Sequence, residues 1–205
     1  MQTECLSAHR PEALSRALLA LQSGMLVAFP TDTVYGLGAL AFDAHAIESI
    51  YAVKGRPAKK AIPILIGDIH DLDEVTLSLP PMAAKLAARF WPGALTLVVP
   101  KSPTLPDIVS ATPTIGVRIP NHPVARALLK AAGPMAVTSA NLSGQPSPTT
   151  AEEVIHQLNG RIPLVLDGGE TPGGLSSTVV DCLGPEPVIL RAGPISWEEI
   201  AFVLA

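Results

Sequence analysis

Two cations stand two residues apart in Lys54-Gly55-Arg56-Pro57, inside a stretch from Glu48 to Asp68 that holds no acid between its ends. Lys54, Arg56, Lys59 and Lys60 fall within seven residues there, which makes either a local anion site or a solvated loop. At the end of a helix such cations also suit the helix dipole. A second candidate is Arg118, set in the apolar run Ile115-Gly116-Val117-Arg118-Ile119. Burying an unpaired guanidinium costs several kcal/mol, so this arginine requires an acid of the chain or a ligand carboxylate matched to its planar fork. Nearby His122, between asparagine and proline, reads as a turn or capping residue rather than a metal ligand.

The remaining candidates are neutral. Thr138-Ser139-Ala140-Asn141-Leu142-Ser143-Gly144, continued by Gln145-Pro146-Ser147-Pro148-Thr149, carries seven hydroxyl or amide side chains over twelve residues, a density suited to ribose, phosphate or amino-acid recognition. Pro30-Thr31-Asp32-Thr33-Val34-Tyr35-Gly36-Leu37-Gly38 follows a strand-like run and can present hydroxyls and backbone N–H groups to a small polar ligand. Taken alone, it is equally an ordinary turn in which Asp32 and Thr33 satisfy local backbone groups. Asp167-Gly168-Gly169 and Pro172-Gly173-Gly174-Leu175-Ser176-Ser177 let a backbone approach a ligand closely, and Leu190-Arg191-Ala192-Gly193 adds one more cation after a strand.

No phosphate loop of the GxxxxGK[ST] form, no HExxH or DxDxDG metal motif, no GxSxG elbow and no cysteine beside a base occurs. Cations and hydroxyls without a nucleophile fit a reaction in which two bound substrates react with each other, the protein supplying positioning and charge stabilisation.

The elements that must position these groups are short and numerous. Twenty-one prolines and sixteen glycines punctuate apolar runs, and no internal repeat is visible. Apolar spacing predicts helices over Pro11 to Leu21, Ala44 to Val53 with Asp43 as N-cap, Pro81 to Phe90, and His122 to Ala131. Strands are predicted at Met25 to Phe29, Ile62 to Ile66, Leu95 to Val99, Ile115 to Ile119 and Met135 to Val137. Three more fall at Leu164 to Leu166, Thr178 to Val180 and Val188 to Leu190. Thr150 with Glu153 and Ser196 with Glu199 read as capping boxes opening two further helices. Several connections are too short for a crossover helix, so an α/β or α+β fold with a mixed rather than all-parallel sheet is expected.

Length and composition bound the rest. The 205 residues are 48% hydrophobic and 16% charged, enough for one domain with a sizeable core and too few charges for a disordered tail to dominate. A net charge of −4 argues against chain-wide attachment to nucleic acid, so any anion site is local. No apolar run reaches the roughly 18 residues of a membrane helix, and Met1 to Arg10 lacks the pattern of a signal peptide, which points to the cytoplasm. Cys5 and Cys182 show no metal or disulfide spacing.

In order and wording these segments resemble the YrdC/Sua5 family of threonylcarbamoyl-adenylate synthases. FPTDTVYGLG, KGRP, WPGALTLV, VRIPNHP, TSANLSGQPSPTTAEEV, LDGG with PGGLSSTVVD, and LRAG cover about residues 25–193. The resemblance implies a twisted α/β fold around a large, concave, positively charged cavity, and a single domain over 1–205 without the second domain of the longer Sua5 form. It implies a KxR and SxN catalytic tetrad of Lys54, Arg56, Ser139 and Asn141. L-threonine is then held by Thr33, Arg118, Ser139 and Ser177, and ATP by Arg56, Lys60, Thr114, Asn141, Thr149 and Arg191. Mg2+ is expected on the ATP phosphates, with no metal site of the protein's own. The implied reaction turns L-threonine, bicarbonate and ATP into threonylcarbamoyl-adenylate, for modification of transfer RNA at position 37 by a downstream transferase complex. Two departures stand out: Arg191-Ala192-Gly193 replaces the usual arginine-proline-glycine, and Leu65 stands where many longer members carry a threonine-contacting histidine. Related readings are a carbamoyl-adenylate-forming relative, whose zinc-finger segments have no counterpart here, and a double-stranded RNA-binding module, with the possibility of weak RNA binding.

Overall fold

A computed structural model describes residues 2–57 and 60–205. Lys59, one of the four clustered cations, lies outside the described residues. The strands are β1 (Glu4–Ser7), β2 (Val27–Phe29), β3 (Gly36–Leu40), β4 (Ile64–Leu65), β5 (Leu95–Pro100), β6 (Thr114–Arg118), β7 (Met135–Ser139), β8 (Leu164–Asp167), β9 (Thr178–Asp181) and β10 (Val188–Arg191). Helices are α1 (Ala13–Gln22), α2 (Ala44–Lys54), α3 (Leu72–Val75), α4 (Pro81–Phe90), α5 (Pro123–Ala132), α6 (Ala151–Leu158) and α7 (Trp197–Leu204). Among the described residues the strands form one ten-stranded sheet, ordered β1-β8-β2-β3-β7-β4-β6-β5-β9-β10. Parallel pairs such as β4 with β6 and β5 with β9 alternate with antiparallel ones such as β5 with β6, the mixed sheet expected from the short connections.

The helix limits follow capping chemistry. Asp43 accepts from the Ala46 N–H to start α2, and Gly55, at φ 60°, ends it in the left-handed region. Ser196 and Glu199 form the reciprocal capping box that opens α7. The other expected box is shifted. The Thr150 hydroxyl does accept from the Glu153 N–H, but the Glu153 carboxylate accepts from the Thr149 N–H at 2.6 Å and from the Thr149 hydroxyl at 3.2 Å.

Two strands are absent from the sequence reading. β1 is a short edge strand with one buried residue, Leu6, so its pattern is weak. β3 runs through Gly-Leu-Gly-Ala-Leu, and its glycines lower strand propensity while being required by packing. A Cβ on Gly36 would stand 2.7 Å from Val137 Cγ1, and one on Gly38 2.7 Å from Met135 Cε. β3 is a central strand because its neighbours fill the space its own side chains vacate.

Side chains alternate across the sheet, and the two faces are used differently. Leu37, Ile64, Leu97, Val117 and Val180 point to one face, where Ile47 and Ile50 of α2, Leu86 of α4, Val154 of α6 and Ile200 of α7 cover them. On the other face α1 and α5 pack Ala17, Leu21, Leu128 and Leu129 over Phe29, Leu164, Met135 and Leu65. None of that second cluster's buried residues comes from β6, β5, β9 or β10. The sheet is therefore covered on both faces over one half and open on one face over the other.

Beyond β10 the chain must pass close to β9. A Cβ on Gly193 would lie 2.3 Å from the Thr178 nitrogen and 2.5 Å from the Ser176 carbonyl oxygen, backbone atoms that cannot rotate away. Gly193→Ala is expected to lower the unfolding free energy by about 1–3 kcal/mol in urea titrations. Gly184→Ala, whose added Cβ meets only the Glu186 oxygen at 3.6 Å, should change it little.

Candidate functional site

The uncovered half of the sheet carries a cavity of about 340 Å³. Its floor is one parity of side chains from five strands or their approaches: Pro63 and Leu65, Thr96 and Val98, Gly116 and Arg118, Val137 and Ser139, Ser177 and Val179. The opposite parity from the same strands fills the core described above. Thr31, Thr33 and Gly36 close one side, and Arg56, Leu190 and Arg191 the other. Arg191 reaches the wall through an irregularity in β10: Ile189 pairs with Val180 while Arg191 pairs with Val179, so Leu190 is an extra residue and the strand is re-aimed.

Three guanidiniums thus line the same space. Arg118 is 5% exposed and carries the structural demand that its position in an apolar strand imposes. Its Nη2 donates to Asp32 Oδ1, its Nη1 to the Thr33 hydroxyl at 3.1 Å and its Nε to the Gly93 carbonyl at 2.9 Å. Asp32 is therefore the neutralising acid of a buried ion pair, not a turn residue satisfying local backbone groups. Burial pulls the Arg118 guanidinium below its ordinary value and Asp32 pulls it back up. Three of its five N–H groups are used in these contacts.

Arg191 donates from Nε and Nη2 to the Ser177 carbonyl, at 3.0 and 2.8 Å, and from Nη2 to the Ser177 hydroxyl at 3.0 Å. Burial lowers its affinity for a proton, and the charges of Arg118 and Arg56 lower it further. Arg56 donates to the Ala61 carbonyl at 2.9 Å and to the Lys60 carbonyl at 3.3 Å, so backbone oxygens rather than acids hold it. These cations repel one another in a partly desolvated space, an arrangement that an anionic ligand relieves.

Lys54 and Asn141, the other half of the expected tetrad, lie beneath the wall. Lys54 is 3% exposed, and its ammonium donates to the carbonyl of Ser139 and to the carbonyl and side-chain oxygens of Asn141. Asn141 Nδ2 donates onward to the carbonyls of Leu142 and Gln145, each at 2.8 Å. The pair ties the end of α2 to the loop after β7 and so sets where Ser139 enters the cavity. Thr33, Arg56, Arg118, Ser139, Ser177 and Arg191 stand in the cavity wall. Lys60, Thr114 and Thr149 do not. The Lys60 side chain is exposed, the Thr114 hydroxyl pairs with that of Thr112 at 2.9 Å, and Thr149 is held by Glu153.

Sequence reasoning passed over Asp32 and Thr96. Asp32 carried no sign of its partner, because Arg118 lies 86 residues away. Thr96 did leave a trace: in Leu95-Thr96-Leu97-Val98-Val99 it is the polar residue on the face opposite the core-facing leucines.

A mixed sheet with one half-open face, lined by three arginines and a set of hydroxyls, defines an α/β fold with a cationic, hydroxyl-lined cavity. Comparison with known proteins is specific. Residues 19–193 match the Sua5/YciO/YrdC family model, described as "Telomere recombination". The threonylcarbamoyl-AMP synthase of Bacillus subtilis (strain 168) is 45% identical over 205 residues, which are 98% of this chain and 59% of that protein. The putative threonylcarbamoyl-AMP synthase of Mycobacterium tuberculosis (strain CDC 1551 / Oshkosh) is 44% identical over 98% of this chain and 95% of that protein. The crystal structure of P. abyssi Sua5 complexed with L-threonine superposes with a TM-score of 0.94 at 42% identity, covering 100% of this chain and 61% of that one. The chain belongs to the Sua5/YciO/YrdC family. It spans nearly the whole of the M. tuberculosis relative and about three fifths of the other two.

Burial, and then the charge of Arg56, pull Lys54 down to about 7. In the unfolded chain the same amine holds its proton to about 10.4. Between those values the unfolded state binds more protons, so stability rises with pH there. The Cys182 thiol, pushed up to about 12 by burial, acts in the opposite sense once free thiols ionise above about 8.5. Urea unfolding should therefore show stability rising from about pH 7 to about pH 8.5, with the slope lost in Lys54→Met.

Proposed function

We propose that this chain forms threonylcarbamoyl-adenylate and pyrophosphate from L-threonine, bicarbonate and ATP. The observation that carries the reading is the convergence of Arg56, Arg118 and Arg191 with Thr33, Ser139 and Ser177 in one cavity. The fold and the names of the relatives are in keeping with it. Arg118, fixed by Asp32 and Gly93 with N–H groups to spare, takes the threonine carboxylate, and Thr33 and Ser177 supply neutral partners. Arg56 and Arg191 take the phosphates of ATP. Lys54 and Asn141 act by positioning Ser139 and the end of α2.

The threonine amine adds to the carbon of bicarbonate-derived CO2, giving an N-carboxylate and releasing a proton. An oxygen of that carboxylate then attacks the α-phosphorus, the bond to the bridging oxygen breaks, and pyrophosphate leaves. Guanidiniums already in place stabilise charge that builds on the phosphates without reorganising. The wall offers cations and hydroxyls, no acid among the described residues lines it, and Asp32 beside it is committed to Arg118. That donor set suits phosphate oxygens, with Mg2+ carried on the ATP. The adenylate would pass to a transfer RNA threonylcarbamoyl transferase complex for N6-threonylcarbamoyladenosine formation at position 37. This reading places the chain in the cytoplasm, and among the described residues no helix is long and apolar enough to cross a membrane.

Purified protein given ATP, bicarbonate and threonine is expected to release pyrophosphate and a product with the mass of the adenylate. Release that appears only when carbamoyl phosphate replaces threonine and bicarbonate indicates a carbamoyl-phosphate user, and no release with either set an RNA-binding module. Arg118→Ala should raise the threonine KM about tenfold or more and the ATP KM far less; equal effects reject its assignment to the carboxylate.

A further inference from the structure

Between Arg118, assigned to threonine, and Arg191, one of the two arginines assigned to ATP, stands a hydroxyl that neither assignment uses. The pairing of Leu97 with Val117 places Thr96, one step along the antiparallel ladder, opposite Arg118. On its other side Thr96 pairs with Val179 of β9. Its hydroxyl lies 2.7 Å from that of Ser177, which also accepts from Arg191 at 3.0 Å. Thr96 is 3% exposed and Ser177 4%, yet both contribute to the cavity wall.

A glycine leaves room for the Thr96 side chain in that orientation. A Cβ on Gly116 would sit 2.9 Å from Thr96 Cγ2, so the threonine methyl occupies the space that a side chain at 116 would claim. With the methyl directed there, the hydroxyl is directed to Ser177.

Counting protons shows what the pair can do. Ser177 spends one lone pair on Arg191, and the two hydroxyls share one proton in either direction. Whichever of them donates, one hydroxyl proton of the pair is left for the cavity. Rotating both O–H bonds reverses which hydroxyl donates within the pair and which keeps its own proton free, so Ser177 can offer either a free lone pair or a donor. An amino acid presents N–H donors before its nitrogen is carboxylated and an oxygen acceptor afterwards.

We propose that Thr96 is a positioning residue for the amino-acid substrate, acting through Ser177 to set where the cavity presents this hydroxyl proton between Arg118 and Arg191. The inference rests on the proposed threonine-dependent reaction. Its test is binding of L-threonine by calorimetry, joined to pyrophosphate release with threonine or ATP varied. Thr96→Val, which keeps shape and removes the hydroxyl, is expected to weaken threonine binding and raise the threonine KM about tenfold, with the ATP KM changed less than about threefold. Thr96→Ser should restore most of the loss. In a cycle with Ser177→Ala, the double variant should lose little more than the worse single one. Wild-type affinity in Thr96→Val, equal effects on both substrates, or additive losses in the cycle overturn the proposal. Wild-type protein that binds no threonine overturns the function reading itself, and this inference with it. Should Thr96→Val fail to fold, Gly116→Ala presses on the same methyl, and an unchanged threonine KM there overturns the proposal equally.

Discussion

The buried Arg118 guanidinium is the interaction around which the open half of the sheet is arranged. Buried to 5% exposure on the cavity face of β6, it needs an acid and hydrogen-bond acceptors, and it draws these from separate places: Asp32 and Thr33 after β2, and Gly93 before β5. Gly93 in turn donates its N–H to the Ile119 carbonyl at 2.8 Å, and a Cβ on it would reach 2.4 Å from the Phe90 carbonyl oxygen. Satisfying one charge therefore fixes a loop from the covered half of the sheet against a strand of the open half. The cavity lies along that junction.

The other two arginines follow from the same constraint with a different solution. Arg56 and Arg191 are held by backbone carbonyls, which orient a guanidinium without neutralising it. Asp32 offsets part of the positive charge and the remainder is left for a ligand. A chain with net charge −4 can thus contain a strongly cationic interior space, because the acids that balance the total are elsewhere on its surface. The neutral hydroxyls interleaved with these cations give the cavity direction as well as charge.

Much of this was legible. Periodicity located α1, α2, α4, α5 and eight of the strands among the described residues, since each combines an apolar pattern with a clear start or stop. The strands that escaped are β1, which buries only Leu6, and β3, whose two glycines interrupt the apolar pattern around Leu37. For the site, Arg118 drew notice as a charge in an apolar strand and Arg56 as one of two close cations. The hydroxyl segments drew notice by density. Lys54 and Asn141 were legible as important, but not as support beneath the wall, because whether a polar side chain faces a cavity or a carbonyl depends on backbone 85 residues away.

By itself the sequence determined the residue types, the order of elements and the alternation that sends Leu97 one way and Thr96 the other. These are properties of neighbouring residues along one strand, set by the twofold repeat of an extended chain. Only the tertiary structure decided that Asp32 neutralises Arg118, that Thr96 meets Ser177, that an extra residue in β10 brings Arg191 to the cavity wall, and that α1 and α5 cover only half of a sheet face. Each of these depends on which strands come to lie side by side. That order is settled by packing the whole core at once, and it leaves no mark in the local spacing of residues.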